Sequence, residues 1–132
     1  MAYCAQSNIE NLYGQDNVVK WSNLAGTTDA VDATRVAAAI AWADEQIDNR
    51  LRKTQYAIPF TTVPLMVLTW SATLAGWWLY KARGQRDTNE WNKMEGERKD
   101  VYEELGQVAA GAINLDAAKV ASDDPESIAV IT

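Results

Sequence analysis

From Thr54 to Tyr80 the chain carries no charged side chain, and the latter part of that run, PLMVLTWSATLAGWWLY, is apolar almost throughout. Such a stretch is shielded from water either by lipid or by the rest of its own chain. A helix that crosses a bilayer needs about 20 predominantly apolar residues. Pro64 to Tyr80 falls short of that, and Thr69, Ser71, Thr73 and Gly76 sit near its middle. Arg50, Arg52 and Lys53 precede the run and Lys81, Arg83 and Arg86 follow it, so little charge asymmetry orients an insertion. Thr69, Thr73, Gly76 and Tyr80 advance by four, three and four, which makes one narrow small-or-polar face on a helix that is apolar elsewhere. The stretch reads as the central helix of a bundle.

The remaining sequence has to wall it in. At 132 residues, with 48% hydrophobic and 23% charged residues, the chain is the size and composition of one globular domain. Ile9, Leu12 and Tyr13 mark a short helix over Gln6–Tyr13, which Gly14 ends. Gln15 to Trp21 adds a turn or two, and residues 22–28 form a loop. Asp32 caps a long helix beginning at Ala33 and running to about Lys53, with Val36, Ile40, Ala43, Ile47 and Leu51 as its buried stripe. Pro59 makes continuation difficult, and Pro64 starts the central helix, which runs to about Arg83. Thr88 caps the last helix, whose seam is Trp91, Met94, Val101, Leu105 and Val108 and whose outer face pairs Glu95 with Lys99. The fold class is all-α: a compact bundle of about four helices over residues 1–115, a long central apolar helix among them, with an extended C-terminal segment over 116–132. That segment holds a small helical turn at 116–121 and ends in a β-prone stretch without a strand to pair with in its own chain, so it is either a disordered tail or, the reading favoured here, a segment that another subunit or partner orders.

Chemistry is constrained by what is missing. With no histidine and only Cys4, triads, imidazole bases, common zinc sites and internal disulfides are excluded. Asp44, Glu45 and Asp48 lie close on one helix, but without convergent ligands they read as a solvated face, and Asp29 and Asp32 lack the spacing of a calcium loop. Hence no catalytic residue, no metal site and no cofactor is expected, and the chain is not read as an enzyme. A net charge of −6 repels phosphates, against a nucleic-acid reader. Six tryptophans exceed what one modest core hides easily, and aromatics concentrate at subunit contacts. Trp42, Trp77 and Trp78, with Ile128, Val130 and Ile131 of the terminal stretch, are the expected interface residues.

The succession MAYCAQSNIENLYG, TTDAVDATRVAAAIAWADEQIDNRL, QYAIPFTTVP and DTNEWNKMEGERKDVYEELGQVAAGAINL resembles the short head–tail connector proteins, also called adaptor or head-completion proteins, of Mu-like tailed phages and prophages. The likeness spans residues 1 to about 115; Ala5, where a Thr or Ser cap is usual, departs from it. It implies a homo-oligomeric ring, commonly of about twelve copies, between the portal protein and a tail-side completion or terminator protein. The ring would be assembled in the host cytoplasm and placed at the virion neck, away from membrane, with DNA passing through it without specific binding. An acidic channel wall suits that passage. Two rivals are a holin-like single-span membrane protein, which would use residues 58–80, and an oligomeric regulatory binding module.

Overall fold

The computed structural model describes residues 2–24, 26, 29–83, 88–115, 117 and 119, and of Arg83 only the backbone. Five helices follow one another: α1 (Gln6–Tyr13), α2 (Gln15–Ser22), α3 (Ala33–Leu51), α4 (Leu65–Arg83) and α5 (Asn89–Ala109). The stretch after Gly14 is thus a full helix. Gly14 adopts a φ of 88°, which favours glycine, and its amide donates to the Glu10 carbonyl as α1 closes. Asp32 and Thr88 cap α3 and α5 as expected, accepting from the amides of Arg35 (3.1 Å) and Trp91 (3.1 Å). Lys53, at φ 68°, turns the chain away after α3, and the Ile58–Pro59 bond in the crossover is cis.

α4, uncharged from Leu65 to Tyr80, touches every other helix. Val67, Leu74, Ala75 and Leu79 are fully buried on it, and Trp70, Ala72 and Tyr80 nearly so. Each such Leu or Val contributes about 1.5–3 kcal/mol by leaving water. No helix among the described residues is long and apolar enough to cross a membrane. The small-residue face has a definite use at Gly76, where the Tyr13 ring lies directly against α4. Contacts of Trp42 with Trp77 and of Asp44 with Ser71 set α3 antiparallel to α4. Those of Trp70 with Glu104 and Trp77 with Glu95 do the same for α5.

The opening residues are woven into this core. Tyr3 and Cys4 are buried. The Tyr3 amide donates to Asp44 (2.9 Å), and its hydroxyl donates to Asp48 (2.5 Å) while accepting from the Phe60 amide (3.1 Å). Asp44 and Asp48 are therefore half-covered by the chain's own start rather than solvated, whereas Glu45 is exposed as expected. At the other end Leu115 donates its amide to the Tyr56 hydroxyl (2.7 Å), and Lys119 forms an isolated antiparallel bridge with Tyr56. Ala117 and Lys119, the described members of the expected turn at 116–121, are not helical.

Candidate interaction surfaces

Two surfaces flank α5, and its helical period explains both. Glu95, Arg98 and Tyr102 recur by three and four along one flank, Glu97, Asp100 and Glu104 along the other, and the buried seam of Met94, Val101 and Leu105 runs between them.

On the first flank, cations alternate with aromatic rings. Trp42 of α3 and Trp77 of α4 stack with centroids 5.6 Å apart at 27°. Lys81, one turn beyond Trp77, places its ammonium 5.0 Å from the Trp77 ring and 5.8 Å from that of Trp42. Arg98 lies between Trp77 (4.9 Å) and Tyr102 (5.3 Å), and Arg50 covers Tyr102 at 4.0 Å. Glu95 anchors the row: it accepts from the Trp77 indole (2.6 Å) and takes two bonds from Arg98 (3.2 and 3.1 Å). Those Arg98 bonds hold its carboxyl below the usual range. Nearby, Arg35 lies 4.4 Å over Trp78, its Nε buried without a hydrogen-bond acceptor among the described residues. Ring faces orient cations without neutralising them. Glu95 matches the charge of Arg98, which leaves Arg50 and Lys81 as the further cations of this flank on a chain that is acidic as a whole.

On the second flank a groove of about 500 Å³ opens between α1, α4 and α5, floored by Met66, Trp70, Thr73 and Val101. Glu97, Asp100 and Glu104 line its α5 side. Glu97 accepts from the Tyr13 hydroxyl (3.0 Å), and Glu104 from the Trp70 indole (2.9 Å). Leu12 (47% exposed) and Leu65 (78% exposed) line the same groove, so large apolar side chains stay wet in the single subunit.

The third polar cluster is buried and stitches the chain together. Ser71 donates to Asp44 (2.6 Å), and its oxygen lies 3.1 Å from the Cys4 sulfur. Burial pushes the Cys4 thiol up to about 11, far from a nucleophile's range. Cys4 is buried rather than surface-exposed. Burial likewise raises the Asp44 and Asp48 carboxyls above their ordinary value. No group of three or more metal-binding side chains occurs among the described residues.

Of the residues singled out from sequence, Trp42, Trp77 and Trp78 are all half-buried. The fold joins the first two and sets the third against Arg35. Ile128, Val130 and Ile131 lie outside the described residues. Sequence reasoning missed the cations Lys81 and Arg98 and the groove beside Leu12. Glu95 turns to Arg98 at i+3 rather than to Lys99, because only Arg98 shares its flank with Trp77. The available signal was the alternation of Glu95, Arg98 and Tyr102 along one side of α5. Among known proteins, a family model described as Bacteriophage Mu, Gp36 matches residues 3–131. No curated protein matches the chain.

Proposed function

The chain belongs to the family of bacteriophage Mu Gp36, and from that premise we propose that it is a structural virion protein, a head–tail connector. In this reading its subunits form a ring between portal and tail, extend the DNA channel and offer a docking surface to the tail-side completion protein. The ring is assembled in the host cytoplasm and ends at the virion neck. The observation that carries the reading is the family match, which spans residues 3–131 of the chain. It is supported by the all-helical subunit that the resemblance implied and by aromatic and aliphatic side chains left half-buried or exposed on two flanks. The work is mechanical: the subunit supplies shape and contact, and no catalytic step is assigned to it. Carboxylates facing the bore would let the duplex slide, because like charges keep it from adhering.

The holin-like alternative requires a span, and no described helix is long and apolar enough for one. A regulatory module would stop at a dimer. Electron microscopy of the purified protein, with and without its portal, tests the proposal. Rings coaxial with the portal are expected; a protein that stays monomeric or dimeric beside the portal refutes it.

A further inference from the structure

Resting on the ring reading, we infer that neighbouring copies join head to tail, the cation–aromatic flank of one copy seating against the acidic groove of the next. The two surfaces differ in charge: Arg50, Lys81 and the Glu95-paired Arg98 on one side of α5, Glu97, Asp100 and Glu104 on the other. Each side is also incomplete on its own. The stacked pair Trp42–Trp77 is half-buried, and Leu12 and Leu65 remain exposed beside the groove.

Charge selects the occupant. Copies of net charge −6 repel one another at long range, so a stable contact has to bring a local excess of cations against local carboxylates. A two-fold dimer through either surface would set like charge on like. Pairing one surface with the other removes that conflict, and because the two differ, the contact is heterologous. An open assembly still offers one free surface of each kind, at its two ends, so the association propagates until rotation closes it. Desolvating tryptophan rings against Leu12 and Leu65 supplies apolar burial at the centre, with the ion pairs giving register and encounter rate.

The test uses the full chain and two surface variants. Arg50→Glu/Lys81→Glu spoils the cationic flank; Leu12→Lys/Asp100→Lys spoils the groove. All four side chains are exposed, so circular dichroism should show unchanged helicity in both variants. Sedimentation then reads association. The wild type should self-associate, more weakly as salt rises, and each variant alone should associate at least tenfold more weakly. An equimolar mixture of the two should regain association, because an intact groove meets an intact cationic flank. Variants that assemble like the wild type overturn the inference, as does a mixture that stays monomeric. Loss of binding to a short single-stranded DNA in the flank variant, with self-association untouched, also overturns it in favour of a nucleic-acid surface. Microscopy with the portal separates the two ideas. Portal-bound rings formed by wild type and variants alike leave the connector reading standing without this contact. Recovery of association in the mixture, with no ring on the portal, leaves the contact standing without the reading.

Discussion

Alanine at position 76 sets helix propensity against packing, and the structure says which wins. In an exposed helix interior, Gly→Ala gains about 0.8–1.0 kcal/mol. At Gly76 the new Cβ would fall 2.2 Å from Cε2 and 2.7 Å from Cδ2 of Tyr13. Carbon atoms rest about 3.5–4.0 Å apart, so the ring has to retreat by more than about 1 Å. Its hydroxyl is tied to Glu97 at 3.0 Å, and its face leans on Trp21 at a centroid distance of 5.5 Å. Neither contact survives such a shift unchanged. Overpacking of this kind costs about 1–3 kcal/mol, and a hydrogen bond to a charged acceptor is worth about 1.5–3 kcal/mol, taken at the lower end for a half-buried tyrosine. After the gain in propensity, Gly76→Ala should destabilise the domain by about 2 kcal/mol, a fall in Tm of roughly 6–10 °C. Urea unfolding followed by circular dichroism and tryptophan fluorescence measures it. In a Tyr13→Ala background the space is already empty, and the same substitution should stabilise by about 0.5–1 kcal/mol. Equal signs in the two backgrounds, or a Gly76→Ala protein as stable as the wild type, refute the account of α4 as a helix on which Tyr13 rests.

Leu74 is fully buried on α4, and Leu74→Asp should abolish the helical circular dichroism signal. An unpaired buried carboxylate costs several kcal/mol, comparable with the whole stability of about 5–15 kcal/mol. Leu68 is only half-buried, so Leu68→Asp should leave a weakened but folded protein in the same assay. Asp32→Ala removes the acceptor for the Arg35 amide and should cost about 1 kcal/mol in urea titrations. Asp44 has its carboxyl raised by burial above the ordinary 3.8. The folded protein thus holds this proton more tightly than the unfolded chain, a contribution fully present at low pH and lost as pH climbs through the raised value. The stability of wild type relative to Asp44→Asn should accordingly fall as pH rises from the ordinary 3.8 through the raised value; a flat or rising difference contradicts it.

The helix ends were legible because each carries its own chemistry: Gly14, Asp32, Pro64 and Thr88 act on the few residues beside them, and local rules suffice. The stretch Gln15–Ser22 was legible as a turn or two with Val18 and Trp21 facing inward, which is what its eight residues make. What local rules did not show is the partner of Trp21, the Tyr80 ring far along the chain. Asp44 and Asp48 were taken for a wet face because helical periodicity places them off the α3 stripe. Only the return of Tyr3 from 41 and 45 positions away covers them. The tryptophans at 42 and 77 stood out by their number and position, yet their stacking, and the choice of Arg98 over Lys99 by Glu95, depend on three helices meeting. The groove beside Leu12 is likewise a property of three elements at once and left no trace in any one of them.

The Tyr3 tether bears on how the protein is made. A ribosome delivers Tyr3 long before Asp48, Phe60 and Ser71, so the first residues to emerge have to wait for the middle of the chain. α1 packs on α4 as well as on α2, so translation must pass α4 before the contacts of α1 are complete. A nascent chain halted before Ser71 and Gly76 therefore lacks the surface on which Cys4 and Tyr13 rest, and delivery of α4, rather than the onset of synthesis, lets the beginning of the subunit dock.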